Sequence, residues 1–262
     1  MTILQADRLS ISFGGVRAID GVSIAIEPGE VFSIIGPNGS GKTTLFNLVS
    51  GVYTPNDGSI RLGGEAVAGL TPDQFARRGL SRTFQNLQIF SRMSVLENVM
   101  VGRHRHERTG IIAELLHWPS VARQNETTRE AARAVLGRVG LAEAIDRPAA
   151  SLAYGALKRL EIARALASEP KLLLLDEPAA GCNAVETQEI DRVIRSIVKD
   201  GTTVVLVEHD MRLVMNISDR VHVLASGRTL AEGTPNEVRS NPAVIEAYLG
   251  AHGSREAAHA LD

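Results

Sequence analysis

Gly36-Pro-Asn-Gly-Ser-Gly-Lys-Thr43 is the stretch of sequence that decides the fold. It fits the phosphate-loop pattern G-x-x-x-x-G-K-[ST], and it lies where that pattern has to lie, between an apolar strand, Val31–Ile35, and a helix that we expect to run from Lys42 to about Ser50. Glycines let main-chain N–H groups curl around phosphate oxygens, and a helix start adds partial positive charge. The sequence therefore predicts a site for the phosphates of a nucleotide.

The residues of this loop have separate predicted contacts. Lys42 is expected to reach the β- and γ-phosphates, and the Thr43 hydroxyl to coordinate Mg²⁺. The other predicted nucleotide contacts in this segment are Gly36, Asn38, Gly39, Ser40, Gly41 and Thr44. A nucleoside triphosphate with Mg²⁺ is the ligand that this set indicates.

Two carboxylates follow a second apolar run, Lys171-Leu-Leu-Leu-Leu-Asp176-Glu177. Open α/β sheets bind their ligands at the carboxyl ends of the strands, which is where both acids lie. Asp176 suits the metal ion, held through a water, whereas Glu177 can orient or deprotonate an attacking water. His209 follows a third buried strand, Thr203–Val207, at the same edge of the sheet, and we expect it to contact the γ-phosphate.

The remaining sequence predicts an α/β fold with an inserted helical part. The first 30 or so residues alternate apolar and polar side chains up to a turn at Pro28-Gly29, which predicts a β meander. Strands and helices alternate again from Leu172 to Leu224, as in a mainly parallel sheet with crossover helices. Between about Gln85 and Ala150 helical signals dominate. Ser94-Val-Leu-Glu97 has the pattern of a capping box at a helix start, and an amphipathic helix is expected from Asn125 to Val139.

We therefore predict one cassette of 262 residues. Residues 1–84 and 160–250 are expected to form the nucleotide-binding core with an antiparallel β subdomain. About 85–159 are expected to form a helical subdomain, and 251–262 a frayed tail. The absence of an internal repeat indicates a single nucleotide-binding unit.

Composition limits the possible partners and compartments. The chain has 28 basic and 30 acidic residues, and this balance argues against DNA or RNA as the main partner. A single cysteine, Cys182, rules out an internal disulfide framework and fits a reducing compartment. Asp7 and Arg8 interrupt any signal peptide, and no apolar run approaches the ~18–20 residues of a membrane helix. We expect a protein that is soluble when isolated and that reaches a membrane through partners.

Taken together, these residues resemble the ATP-binding subunits of ABC transporters over nearly the whole chain. Leu152-Ala-Tyr-Gly-Ala156, followed by a helix to Leu166, is similar to the signature motif of that family. The resemblance implies that Ala153, Tyr154 and Gly155 contact the γ-phosphate of ATP held by the opposite protomer, and a helix start does favour an anion. It also implies a P-loop ATPase fold in which two copies hold ATP and Mg²⁺ between them.

The same resemblance assigns two further residues. Gln85, in Thr83-Phe-Gln-Asn86, looks like the glutamine that touches Mg²⁺ or water and leads to the transmembrane partner. Phe13 lies where the family stacks an aromatic ring on adenine.

The chain departs from the common family pattern at two places. The usual signature is Leu-Ser-Gly-Gly-Gln, and here Ala153, Tyr154 and Ala156 replace the serine, one glycine and the glutamine. Losing a hydroxyl bond to a charged phosphate costs ~1.5–3 kcal/mol, so we expect a weaker γ-phosphate contact and an intact site otherwise. The loop that crosses the dimer interface carries Asn183 where many members have aspartate, which puts a proton-relay role of that loop in doubt.

Within the family the chain most resembles the longer ATPase subunit of branched-chain amino acid importers. The supporting segments are Ser81-Arg-Thr-Phe-Gln-Asn-Leu-Gln-Ile-Phe90, Glu177-Pro-Ala-Ala-Gly181, Glu208-His-Asp-Met211, Gly233-Thr-Pro235 through Tyr248-Leu-Gly250, and an insertion at about 103–129 that includes Ile111-Ile-Ala-Glu-Leu-Leu-His-Trp118. The implied partners are a second ATPase subunit (identical or related), two transmembrane permease subunits and, indirectly, an extracytoplasmic solute-binding protein. The implied location is the cytoplasmic face of the inner membrane. The cargo cannot be read from these motifs, and importers of urea or amides remain open.

Two other classes of protein account for only part of this sequence. A small-molecule kinase with a phosphate loop accounts for Lys42 and Thr43, but not for the signature helix together with Glu177 and His209. A soluble ABC ATPase of translation or DNA repair usually carries two cassettes or a long coiled-coil arm, and this chain has neither.

Overall fold

The computed structural model describes residues 2–106 and 119–252, with side chains described up to 106 and from 122 to 248. The strands in this part are β1 Leu4–Phe13, β2 Val16–Ile26, β3 Val31–Ile35, β4 Asp57–Leu62, β5 Glu65–Ala66, β6 Leu80–Arg82, β7 Leu172–Asp176, β8 Thr203–Val207, β9 Arg220–Ala225 and β10 Arg228–Gly233. The helices are α1 Lys42–Val49, α2 Pro72–Arg77, α3 Val95–Gly102, α4 Pro119–Arg138, α5 Tyr154–Leu166, α6 Ala184–Lys199, α7 Met211–Ile217, α8 Pro235–Arg239 and α9 Pro242–His252.

An antiparallel sheet with the order β2-β1-β4-β5 contains the N-terminal strands. β1 and β2 form a hairpin around Gly14 and Gly15, both of which have positive φ. Burial alternates over the second half of β2, but in β1 it is interrupted where the register shifts, and Leu9, Ser10 and Ile11 are all buried. The predicted meander is wrong beyond this hairpin, because the turn at Pro28-Gly29 leads into β3, which belongs to the other sheet. The neighbour of β1 on its free side is β4 instead.

The second sheet has six strands in the order β10-β9-β3-β8-β7-β6 and is parallel except for β10. β3, β7 and β8 are buried along their whole length, as expected for parallel strands covered on both faces. Their carboxyl ends therefore meet at one edge, which carries the phosphate loop after β3 and Glu177 after β7. The predicted α/β fold class, with its mainly parallel sheet and antiparallel N-terminal part, is confirmed.

Three helices pack together between β6 and β7. α3 contacts both α4 and α5, and Val99, Leu136 and Leu160 are fully buried in the shared core. Ser94 and Glu97 form the predicted capping box at the start of α3. α4 begins at Pro119, six residues before the expected start, and the predicted boundary at 160 falls inside α5. The segment from Ile111 to Trp118 lies outside the described residues, and the division into subdomains stays a prediction.

The C-terminal helix α9 lies against the β9 side of the parallel sheet. Val244 is buried and Tyr248 packs beside it on a cluster that includes Ile35 and Val223. Burial raises the pKa of the Tyr248 hydroxyl to about 12. α9 continues to His252, so residues 251 and 252 of the predicted tail are helical. Within the described ranges no helix is long and apolar enough to cross a membrane.

Candidate functional site

The phosphate loop depends on glycine at its two ends. Gly41 precedes α1 with φ 105°, and a Cβ there would lie 2.8 Å from the main-chain oxygen of Ala18. A Cβ on Gly36 would lie 2.2 Å from the main-chain oxygen of Leu224. Any side chain at these two positions would push the loop away from β2 and β9. Both positions therefore require glycine, because of the close backbone packing as well as the positive φ.

Lys42 is folded back into its own loop. Its Nζ donates to the main-chain oxygens of Gly36, at 2.7 Å, and Pro37, at 3.1 Å. Burial lowers the pKa of this ammonium, and the negative charge of Glu177 opposes the effect. The hydroxyl of Ser40 is buried without a hydrogen-bond partner among the described residues. A partly desolvated cation beside an unused hydroxyl suits an incoming polyanion such as a nucleotide's phosphates.

A cavity of about 520 Å³ opens in front of this loop. Its walls come from six segments that are separate in sequence: β2, the phosphate loop with α1, and the residues after β6, β7, β8 and β9. The lining residues are Val16, Arg17, Ala18, Asn38, Gly39, Ser40, Gly41, Lys42, Thr43, Thr44, Gln85, Glu177, His209, Ser226 and Gly227. The predicted contacts of the phosphate loop other than Gly36 are thus brought together with Gln85, Glu177 and His209.

Glu177 is held through both its main chain and its carboxylate. Its φ is +49°, a left-handed conformation that costs a non-glycine residue roughly 1–2 kcal/mol. Its main-chain N–H donates to Val207 at 2.9 Å, which ties it to the end of β8. Of its carboxylate oxygens, Oε1 lies 2.7 Å from His209 Nε2 and Oε2 lies 3.2 Å from Gln85 Nε2. Its main-chain oxygen accepts from Lys158 Nζ and from the main-chain N–H of Ala180, both at 3.2 Å. The carboxylate is thereby fixed at the wall of the cavity.

Asp176 lies one residue earlier and is buried. Its Oδ2 lies 3.4 Å from the guanidinium of Arg82, which also donates to Asn47 and Ser50 on and after α1. Burial raises the pKa of Asp176, and the positive charges of Arg82 and Lys158 oppose that shift. Asp176 is not among the lining residues of the cavity. Its predicted role at the metal ion through a water stays a prediction, and Arg82 is a partner that the sequence reasoning missed.

The signature-like segment lies elsewhere, at the start of α5. Ala153 is the N-cap of that helix and makes no side-chain cap bond. The N–H of Gly155 donates to Glu186 Oε1 at 3.1 Å, and a Cβ on Gly155 would lie 2.6 Å from Glu186 Cγ. Glu186 Oε2 accepts from the N–H of Asn183 at 3.0 Å. One carboxylate therefore joins the starts of α5 and α6.

Asn183 has a structural task that its sequence position did not reveal. Its Oδ1 accepts from the N–H groups of Val185 and Glu186, so it is the N-cap of α6. An amide performs this task as well as a carboxylate does. The replacement of the usual aspartate therefore leaves this helix start intact.

Tyr154 and Phe13 lie away from the cavity. Tyr154 is 44% exposed, and its ring packs on the α-carbon side of Gly181, where a Cβ would come within 3.1 Å. Phe13 is also 44% exposed and meets the ring of Tyr53 edge-on at 5.2 Å. The part of the N-terminal hairpin that lines the cavity is residues 16–18 of β2, and Phe13 is not among the lining residues. The predicted contact of Phe13 with adenine stays a prediction.

Two further features were not foreseen from the sequence. The turn between β9 and β10 touches the phosphate loop, because the N–H of Gly227 donates to the main-chain oxygen of Ser40 at 2.9 Å. The buried carboxylate of Glu208 accepts from the N–H groups of Ala179 and His209 at 2.8 and 2.9 Å. Burial raises the pKa of Glu208, and these N–H groups oppose the shift. Glu208 thus fixes the loop after β7 to the loop after β8, on either side of the Glu177–His209 contact.

The residues at the cavity also suit a magnesium ion. Mg²⁺ takes oxygen ligands and keeps several waters, so it needs few protein groups. Thr43 and Gln85 both line the cavity and can supply a hydroxyl and an amide oxygen. The described residues contain no cluster of three or more His, Cys, Asp or Glu side chains that would suit a metal with a full set of protein ligands.

The chain matches two protein-family models. The model described as ABC transporter matches residues 19–180. A second model, described as branched-chain amino acid ATP-binding cassette transporter, matches residues 228–254. The first match contains the phosphate loop, the signature-like segment and Glu177, and the second covers β10, α8 and α9.

Curated relatives and solved structures agree with these matches. Over 249 residues the chain is 46% identical to the high-affinity branched-chain amino acid transport ATP-binding protein LivG of Escherichia coli K12, covering 95% of this chain and 98% of that relative. The same identity and coverage hold for the protein BraF, described in the same words, of Pseudomonas aeruginosa. A crystal structure of the ADP conformation of an ATP-binding cassette of an ABC transporter matches with a TM-score of 0.84 at 33% identity, covering 95% of this chain and 99% of that one.

Proposed function

The chain belongs to the ABC transporter family as an ATP-binding, ATP-hydrolysing subunit, and from that membership we propose that it powers the import of branched-chain or related amino acids. LivG and BraF are described as high-affinity branched-chain amino acid transport ATP-binding proteins, which supports the choice of cargo class. So does the C-terminal match to the model for branched-chain amino acid cassettes.

The observation that carries the proposed mechanism is the placement of Glu177. Its carboxylate lies at the cavity wall, 2.7 Å from His209 Nε2 and on the same cavity as Lys42. A carboxylate held in this way can accept a proton from a water that attacks the γ-phosphate. His209, which contacts Oε1 of this carboxylate, can hold it in place and can donate a hydrogen bond to a γ-phosphate oxygen.

The phosphate loop then binds and orients the substrate. Exchange of the Lys42 bonds to Gly36 and Pro37 for bonds to the phosphates replaces neutral acceptors by charged ones, which are about twice as strong. The hydroxyl of Ser40 gains a partner that it lacks among the described residues. The N–H groups at the start of α1 add to the binding of negative charge.

Mg²⁺ is the cofactor that we propose for this site, with Thr43 and Gln85 as candidate ligands and Asp176 acting through a water. When bound, the ion neutralises charge that develops on the phosphate oxygens. Arg82 keeps the Asp176 carboxylate paired and directed by its bonds to Asn47 and Ser50.

The second half of each site is proposed to come from another ATPase subunit, identical or related. Ala153, Tyr154 and Gly155 do not line the cavity that holds Lys42, which supports a contact with a nucleotide on another subunit. The N–H of Gly155 would then exchange its bond to Glu186 for one to a phosphate oxygen. The exposure of Tyr154 is consistent with an interface at this surface.

Two permease subunits are the proposed membrane partners, and a groove of about 670 Å³ beside Gln85 is their proposed docking place. Phe84 and Phe90 line this groove and are 48% and 47% exposed, so two large apolar side chains face solvent in one groove. Its continuity with the Gln85 segment favours a permease loop as the occupant. Such docking would hold the protein at the cytoplasmic face of the inner membrane, where a solute-binding protein acts from the opposite side.

Co-expression with candidate permease subunits tests this assignment. The tagged chain is expected to co-purify with them from detergent extracts, and Phe90→Asp is expected to weaken that recovery. Val52→Asp is a matched control, because Val52 is 45% exposed but does not line the groove. Amino-acid-stimulated ATP hydrolysis in the reconstituted complex would identify the cargo. Equal recovery of both variants would argue against the groove, and phosphorylation of a small molecule in place of phosphate release would favour a kinase.

A further inference from the structure

Lys158 is a buried cation that the proposed mechanism has not yet used. It lies in the second turn of α5 and is only 2% exposed. The hydrogen bond of its ammonium goes to the main-chain oxygen of Glu177, at 3.2 Å. The ring of Tyr154 lies against it on the N-terminal side, with Nζ 5.9 Å from the ring centroid. Burying an ammonium is costly unless its charge is compensated, so the burial of Lys158 beside Glu177 suggests a functional role.

Glu177 needs such a contact because of its backbone. A glutamate at φ +49° is strained and persists only when its surroundings hold it. Val207 holds its N–H, and its carbonyl oxygen accepts from the Lys158 ammonium, the one side chain that reaches it among the described contacts, and from the main-chain N–H of Ala180, both at 3.2 Å. Rotation of that peptide would swing the carboxylate away from His209 and Gln85.

We propose that Lys158 is a positioning residue that transmits the position of α5 to the carboxylate of Glu177. The inference rests on the proposed function, in which the start of α5 faces a nucleotide on the partner subunit. The first turn of α5 is itself fixed, because Gly155 is bonded to Glu186 and Tyr154 packs on Gly181. A shift of α5 as a whole would move the Lys158 ammonium and, through its hydrogen bond, the main-chain oxygen of Glu177. Glu177 is the residue proposed to activate water in the chain's own site.

Lys158→Met tests this role, because methionine keeps most of the apolar stem and removes the donor and the charge. The expected result is a fall in kcat of at least tenfold, with KM and ATP affinity within threefold of wild type. Arg159→Met is the matched control on the same helix: Arg159 donates to Val139 and Gly140 and pairs with Glu189, away from Glu177. It is expected to keep kcat within threefold.

A double-mutant cycle separates positioning from a general loss of stability. In a Glu177→Gln background, measured by single turnover with enzyme in excess, adding Lys158→Met is expected to change the residual rate by less than twofold. If the two losses multiply, or if Lys158→Met alone keeps kcat within threefold, the inference is wrong. Should Lys158→Met lose its cooperative thermal transition, Lys158→Arg takes its place, with an intermediate kcat expected at unchanged KM. Wild-type protein that fails to hydrolyse MgATP would instead contradict the proposed function.

Discussion

Lys42 donates to two neutral carbonyls in this structure and is expected to exchange them for phosphate oxygens. Lys42→Ala should therefore weaken ATP binding, by an amount on the order of 10- to 100-fold if a charged hydrogen bond of about 1.5–3 kcal/mol is lost. Isothermal titration calorimetry of the isolated chain measures this directly. Arg17→Ala, at a residue of β2 that lines the same cavity, shows how much a cation contributes without the loop geometry. An affinity of Lys42→Ala within threefold of wild type would contradict the assigned role.

Glu177 is expected to act in hydrolysis and not in binding. Glu177→Gln keeps the size of the side chain and can still accept one hydrogen bond, but it loses the basic carboxylate. Hydrolysis should fall at least 100-fold while ATP is retained, so an ATP-bound dimer should accumulate. Size-exclusion chromatography with MgATP detects that dimer. A variant that is inactive yet stays monomeric with ATP bound would show that the residue does more than activate water.

At the scale of single residues, the sequence predicted the groups that meet at the cavity but not the groups that hold them. Lys42, Glu177 and His209 follow buried strands whose carboxyl ends must share an edge, and strand topology was readable. Arg82 and Lys158 are ordinary charged residues in their local sequence. Their burial beside Asp176 and Glu177 is decided by the packing of distant elements, which a local pattern does not encode.

Glu186 joins the starts of two helices, and they differ in their caps: Asn183 caps α6 with its side chain, whereas Ala153 gives α5 no side-chain cap. Ala153→Ser should add such a cap, worth roughly 0.5–2 kcal/mol, and should raise the thermal midpoint of unfolding. In the Glu177→Gln background the same hydroxyl should also tighten the ATP-dependent dimer, since it can reach a partner's phosphate.

The two effects of Ala153→Ser can be measured apart. Differential scanning calorimetry without nucleotide reports the cap, and analytical ultracentrifugation with MgATP reports the dimer. A higher midpoint without a tighter dimer would mean that the start of α5 does not face the partner's nucleotide. A companion change, Tyr154→Gly, would show whether the exposed ring keeps the new hydroxyl out of reach.

At the scale of elements, local pattern gave good helix starts and a poor account of sheet membership. α1 begins at Lys42 and the capping box of α3 is present, because both depend on a few neighbouring residues. The meander failed because alternation in β1 and β2 says nothing about the sheet that the next strand joins. β3 belongs to the parallel sheet, where strands that are buried on both faces show no alternation of apolar and polar residues.

For the molecule as a whole, the separation of the α5 start from the cavity predicts an activity that needs two copies. Phosphate release per chain should rise with protein concentration and level off as dimers form, and its dependence on concentration should vanish when permease subunits hold two chains together. A malachite-green assay over a hundredfold range of concentration measures this. A constant specific activity over that range would indicate a complete site within one chain.

The contact between Gly227 and the phosphate loop limits where this chain can be engineered. A hairpin tip is the usual choice for inserting an epitope or a fluorescent reporter, but here both residues of the tip have positive φ, at +48° for Ser226 and +77° for Gly227. The N–H of Gly227 reaches Ser40, and its oxygen accepts from Asp20 at 2.8 Å, so an insertion would separate three segments at once. The turn at Gly63 and Gly64 also has positive φ at both residues, and the N–H of Gly63 donates to Ile3 at 2.8 Å, but a Cβ on either glycine would meet open space. A genetically encoded reporter inserted at this turn is expected to leave ATP hydrolysis intact, so that it can report on a working subunit.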